Sequence, residues 1–161
     1  MLFKNTNGQK FTFNQMVDSI REWTAEYWDS DFSYVVATDS QVHKVRHKPI
    51  WYTLYITVVC VHRNGKGGRV WILDERVDGK IDVLKRLMKE TQMSIDVMTK
   101  LSESKLKDRL DKFSVHIDVG HEGKSKSVID ACMGWVTGMG FKAEIKPESV
   151  IAYCVADHYS K

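Results

Sequence analysis

No Cys-x-x-Cys pair occurs in this chain. Its three cysteines, Cys60, Cys132 and Cys154, stand far apart, each inside an apolar stretch. That spacing argues against a zinc ribbon or a disulfide framework, and it predicts reduced, buried thiols in a reducing compartment. Long hydrophobic runs are also missing. The longest, from Ile50 to Val61, is interrupted by Thr53 and Thr57. It is too short to span a bilayer and too β-branched for a comfortable helix. The opening residues, Met-Leu-Phe-Lys-Asn-Thr-Asn-Gly, hold no apolar signal core. A soluble, cytoplasmic protein with no membrane partner is expected. Repeats, low-complexity tracts and linker-like segments are absent too, so 161 residues are expected to form one domain. Nor is there a large excess of one charge. A formal +3 permits a nucleic-acid partner without demanding one.

What the chain does have is a core's worth of apolar residues, 43% of the total, with five Trp, six Tyr and six Phe. A disordered chain would not carry so many. Phe13, Met16, Val17, Ile20, Trp23 and Tyr27 recur at helical spacing behind a capping Thr12 and predict a helix over 12–28. Tyr34 to Thr38 is apolar on both parities, the mark of a central strand covered on both faces, and it ends at Asp39-Ser40-Gln41. A basic loop, His43 to Pro49, follows. Ile50–His62 and Val70–Val77 flank a glycine-rich turn, Arg63 to Arg69, and should pair antiparallel. A long helix is predicted over 80–101, with Leu84, Leu87, Met88, Ile95, Met98 and Leu101 on its apolar face. A strand at 113–119, a helix at 124–136, a short strand at 141–145 and a last helix opening at Pro147 complete the order. Three strands in a meander followed by β-α-β alternation imply an α/β fold: a mixed five-stranded sheet with helices on both faces.

Four acids stand out by position. Asp39 ends an apolar strand, Asp118 sits near the end of the 113–119 strand, Glu90 lies on the long helix, and Asp157 follows the apolar residues Val150, Ile151, Tyr153 and Val155. An aspartate within a strand is disfavoured, and a buried carboxylate needs a partner. If the strands bearing Asp39 and Asp118 are neighbours, their carboxylates repel unless one takes up a proton or a cation sits between them. An all-oxygen donor set favours Mg²⁺ or Mn²⁺ over zinc. Alternation places Asp118 with Ser114 and His116, away from Phe113, Val115 and Ile117. Glu90 falls at the edge of its helix's apolar stripe. Taken singly, each acid has an ordinary reading: Asp39 and Asp118 as turn residues, Glu90 and Asp157 as solvated surface acids.

The blocks Ala37-Thr38-Asp39-Ser40-Gln41, His116-Ile117-Asp118-Val119-Gly120 and Ala156-Asp157-His158, in this element order, resemble the ribonuclease H-like superfamily. More narrowly, they resemble its YkuK-type family, from about residue 8 to the end. The resemblance implies a single ribonuclease H-like domain over 1–161, with residues 1–32 a leading helical segment packed on it. It implies acids on the first strand, the long helix, the fourth strand and the last helix, which here are Asp39, Glu90, Asp118 and Asp157. Two-metal phosphodiester hydrolysis is the implied chemistry, with Asp39 bridging both ions, Asp118 and Glu90 on one and Asp157 on the other. The first strand reads Asp-Ser-Gln and lacks the Asp-x-Glu of proofreading-type exonucleases, which argues against their mechanism.

Between strand and helix, Asp118-Val-Gly-His-Glu-Gly-Lys-Ser125 narrowly misses a P-loop, because Asp118 stands where glycine is required. A milder reading has the amides of the helix N-terminus, with His121, Lys124 and Ser125, holding a backbone phosphate. Ser40, Gln41, His43, Lys44, Arg46 and Lys48 are further expected contacts to RNA, DNA or a hybrid. Trp51 and Tyr52 border that loop as candidate base-stacking residues. Arg63, Lys66 and Arg69 form a second basic segment. Three functions therefore compete: a metal-dependent nuclease, a nucleic-acid-binding module of the same fold without catalysis, and a nucleotide-binding enzyme using Gly123-Lys124-Ser125.

Overall fold

The structure, a computed structural model, describes residues 1–118 and 126–146. In chain order these form strands β1 (Leu2–Lys4) and β2 (Lys10–Thr12), helix α1 (Phe13–Glu26), strands β3 (Phe32–Lys44), β4 (Trp51–Arg63) and β5 (Gly67–Asp78), and helix α2 (Val83–Ser102). A 3₁₀ turn (Lys107–Lys112), strand β6 (Phe113–Asp118), helix α3 (Lys126–Gly138) and strand β7 (Lys142–Lys146) follow. The strands form one mixed sheet in the order β2-β1-β5-β4-β3-β6-β7. The meander β3-β4-β5 is antiparallel, and β6 and β7 run parallel to β3.

Among the described residues, seven strands replace the expected five. The two additional ones are a hairpin of three-residue strands that pairs Phe3 with Phe11 and adds β1 to the edge of β5. Asn5 closes its turn: the Asn5 Oδ1 accepts from the amides of Asn7 at 3.0 Å and Gln9 at 2.9 Å, and Gly8 takes a left-handed φ of 80°. The leading segment is thus a hairpin plus a helix. α1 begins at a capping box, with the Gln15 amide donating to Thr12 Oγ1 at 3.2 Å and the Thr12 amide donating to Gln15 Oε1 at 2.8 Å.

A second correction concerns β3. It does not end at Asp39 but runs on to Lys44, because all thirteen of its residues pair in register with β4. Asp39 is mid-strand, and His43 and Lys44 belong to the strand instead of a loop.

The main core lies between one sheet face and the three described helices. It unites Met16, Ile20 and Trp23 of α1, Leu87, Met98 and Leu101 of α2, Cys132 and Val136 of α3, and Tyr34, Val36, Val59, Phe113 and Val115 of the sheet. Leu84 and Met88, expected on the buried stripe of α2, are instead largely exposed. Val35, Ala37, Ile56, Val58, Cys60 and Ile72 form a second apolar cluster from the opposite parity. No described helix contributes to it; the last helix expected from Pro147 lies outside the described residues. No helix among the described residues is long and apolar enough to cross a membrane.

Leu101 is fully buried in the main core. Leu101→Ala is expected to destabilise the fold by about 3 kcal/mol in urea titrations, through lost transfer energy and the cavity left behind. Burial raises the Cys60 thiol from 9.0 to about 12. The native thiol stays protonated where an unfolded one ionises, so its contribution to stability is full below pH 9.0 and declines as pH climbs toward about 12. Iodoacetamide at pH 8, followed by peptide mapping, should leave Cys60 unmodified until the chain is unfolded.

Candidate active site

The parallel register of β3 and β6 pairs Val35 with Ser114 and Ala37 with His116. That is the last pair of the ladder; continued two residues beyond it, the same register would bring Asp39 level with Asp118. Alternation gives these two acids one face of the sheet, shared with Ala37 and His116. Gln41, two residues beyond Asp39 on the same face, buries Oε1 without a hydrogen-bond partner among the described residues. His116 lies 3.3 Å from the Glu144 carboxylate of β7 and 3.2 Å from Ser114 Oγ. Sequence reasoning placed His116 on the polar face without singling it out; its spacing of two from Asp118 was the available signal.

Glu90 approaches from the other side. It is buried on α2 and accepts a 2.5 Å hydrogen bond from Ser40 Oγ, whose side chain alternates with that of Asp39. Arg86 donates to the Ser40 carbonyl at 3.3 Å. Around them runs a polar layer unusual beneath a helix. Thr38 Oγ1 lies 2.8 Å from Ser94 Oγ and 3.0 Å from Thr57 Oγ1. Tyr55, level with Ser40, has its hydroxyl pKa raised first by burial and then by the Glu90 charge. A narrow cleft of about 10 Å³, room for a single water, is lined by Thr38, Glu90, Ser94, Ile117 and Asp118. Asp118 borders this cleft at the end of the described strand, while its alternation with Ile117 places its side chain, like that of Asp39, on the face of the sheet away from Glu90. Among the described residues, no three His, Cys, Asp or Glu side chains are grouped closely enough to hold a metal ion.

The remaining expected residues divide as follows. Ser40 is buried and turned toward Glu90, not toward a ligand. His43 is half-buried, while Lys44, Arg46 and Lys48 are exposed around a turn in which His47 takes a φ of 62°. Asp157, His121, Lys124 and Ser125 lie outside the described residues. Arg63 and Arg69 are toward the opposite end of the sheet from Asp39, seven and five residue steps away, about 23 and 17 Å along the strands. Their guanidinium groups cover Tyr27 at 3.8 Å and Trp23 at 4.8 Å, and Arg63 also donates to Ser30 Oγ at 2.8 Å. The second basic segment therefore clasps α1 to the sheet and does not extend the site.

A mixed sheet of this order, with its antiparallel meander and two further parallel strands, defines an α/β class of protein. The Ribonuclease H-like family model matches residues 15–161, and the chain belongs to that family. It is 29% identical, over 99% of its length and 97% of the relative's, to the uncharacterized protein YkuK of Bacillus subtilis (strain 168). Among solved structures it is similar, at a TM-score of 0.38 and 14% identity, to Ciona intestinalis Endonuclease V in complex with a 24mer DNA containing an inosine followed by a ribo-adenosine. That alignment covers 88% of this chain and 66% of the other. It is too distant a likeness to bear on function.

The Ser40–Glu90 bond yields a stability test. Ser40→Ala removes the donor to a buried carboxylate and should cost about 2 kcal/mol by urea denaturation. In a Glu90→Gln background the same change should cost measurably less, a coupling read from the double-mutant cycle.

Proposed function

We propose that the protein is a metal-dependent nuclease hydrolysing phosphodiester bonds of DNA, RNA or a hybrid, with Asp39 and Asp118 at its centre. The observation that supports this reading is the parallel register of β3 and β6 in a ribonuclease H-like sheet, which pairs Ala37 with His116 and, carried two residues on, would set Asp39 beside Asp118. Two carboxylates so placed repel each other, and a hard cation relieves that repulsion better than a shared proton at neutral pH. The donors present suit Mg²⁺ or Mn²⁺: two carboxylates and the buried Gln41 Oε1, all oxygen, on one face. Asp39 and Asp118 would hold the ion, and Glu90, on the α2 side of the sheet, is proposed as a further acid on the strength of the sequence resemblance. Asp157 is proposed as the fourth on the strength of the sequence resemblance.

A divalent ion bound there would supply positive charge to the phosphodiester and lower the pKa of a water. The chain's own part is positional. The β3–β6 pairing would set the separation of the two carboxylates, and Ser40 holds Glu90 through its hydrogen bond. Hydrolysis adds the water oxygen to phosphorus, breaks one phosphorus–oxygen bond and returns a proton to the departing sugar oxygen. A second reading, binding without hydrolysis, is favoured by the lack of a three-acid cluster among the described residues.

The test uses labelled single- and double-stranded DNA, RNA and hybrid with Mg²⁺ or Mn²⁺. Cleavage should be abolished by EDTA, and Asp39→Asn or Asp118→Asn should slow it by at least about a hundredfold. Cleavage that both variants sustain at the wild-type rate overturns the assignment. Binding with no cleavage under any metal establishes the second reading.

A further inference from the structure

Beyond Asp39 the same sheet face carries a cationic feature that hydrolysis alone does not call for. Asp39, Gln41 and His43 alternate onto one face of β3. Register sets Tyr52 of β4 beside His43, and Arg76 of β5 beside Leu54, which in turn pairs with Gln41. Tyr52 and Arg76 therefore share the face of the two central acids. The His43 ring stacks on Tyr52 with centroids 5.1 Å apart and planes 17° apart. The Arg76 guanidinium lies 3.9 Å from the Tyr52 centroid. His43 reaches the ring from the β3 side and Arg76 from the β5 side.

A ring held in this way offers little surface to a nucleobase, so the stacking role expected of Tyr52 gives way to another. It fixes two hydrogen-bond donors in place, one of them a guanidinium whose planar fork matches phosphate oxygens. Arg76 makes no ion pair among the described residues. Its neighbours on β5 are engaged elsewhere, Asp74 with Lys4 at 2.9 Å and Glu75 with Lys89 at 2.6 Å. Asp78, exposed and level with Tyr52, is the one acid in the adjoining row. On the reverse face Lys44 and Lys80 lie 5.6 and 5.1 Å from the Trp51 ring, and Arg46 and Lys48 are exposed on the turn just beyond. Cations thus outnumber acids on this projecting end of the sheet.

We propose that Arg76 and His43, held on Tyr52, form a phosphate subsite that grips the backbone of the nucleic-acid strand cut at Asp39 and Asp118. The inference rests on the nuclease reading and adds the position and chemistry of a second contact. His43 is four residues past Asp39, about 13 Å along the strand, which corresponds to about four nucleotides of duplex rise. The contact is to phosphate, so it is independent of sequence and sensitive to salt.

The experiment measures binding of the full chain to fluorescent oligonucleotides by anisotropy, in EDTA so that no strand is cut, across a salt series. Arg76→Gln should weaken binding roughly threefold to tenfold for every sequence and lower the log–log salt slope by about 1. Arg76→Lys, which keeps the charge on a comparable stem, should retain the slope while losing part of the affinity. Lys66→Gln, at the far end of the sheet, should change neither. Oligonucleotides reaching more than about four nucleotides beyond the scissile position should bind the wild type better than shorter ones, an advantage that Arg76→Gln removes. Wild-type binding that Arg76→Gln leaves unchanged in strength and slope overturns the subsite and leaves the nuclease reading standing. A wild type that binds no nucleic acid in EDTA overturns the subsite, and the cleavage assay with Mg²⁺ or Mn²⁺ decides the nuclease reading separately.

Discussion

Register between β3 and its two neighbours decides which face every candidate residue occupies. Thirteen consecutive pairs tie β3 to β4, and the parallel ladder to β6, which runs to Ala37 and His116, gives Asp118 the same face as Asp39. A slip of one residue would exchange the faces: Asp39 would point at α2, and Thr38 and Ser40 away from it. The slip is opposed from both sides at once, because Val36 belongs to the helix-covered core and Val35 and Ala37 to the other cluster. The placement of the acids is thus set by hydrophobic burial several residues away.

Beneath α2, the sheet departs from an apolar interior near the acids. Thr38, Thr57 and Ser94 satisfy one another, and Ser40 satisfies Glu90, so the cost of burying these polar groups is met by short, direct hydrogen bonds. Such a layer holds α2 in one rotational setting against β3, since a rotated helix would leave a carboxylate and several hydroxyls without partners. Leu84 and Met88, exposed on the same helix, show that the buried face was chosen by this polar matching as much as by the apolar stripe.

Much of this was legible in the residues. The meander, the two later parallel strands and the long helix follow from apolar periodicity, and the parity of Ser114, His116 and Asp118 follows from alternation. The N-terminal hairpin was not legible, because three-residue strands give no period and only Phe3 and Phe11 mark them. The continuation of β3 past Asp39 was obscured by the run of polar residues from Asp39 to Gln41, which reads as a turn until its partner strand is known. Side-chain pairings across strands, such as Tyr52 with His43 and Arg76, depend on register and cannot be read from one segment. For the same reason the Arg63 and Arg69 segment looked like a ligand surface when its cations are spent on Tyr27 and Trp23.

The hairpin at the start of the chain has a bearing on solubility. β2 forms one border of the sheet, offers only three residues of backbone, and carries the exposed Lys10. A border so short and charged gives another molecule little to zip onto. Where the hairpin joins β5, at Lys4 and Ile72, it interrupts the edge of a twelve-residue strand that would otherwise be a longer continuous template for copies of the chain to join edge to edge into fibres.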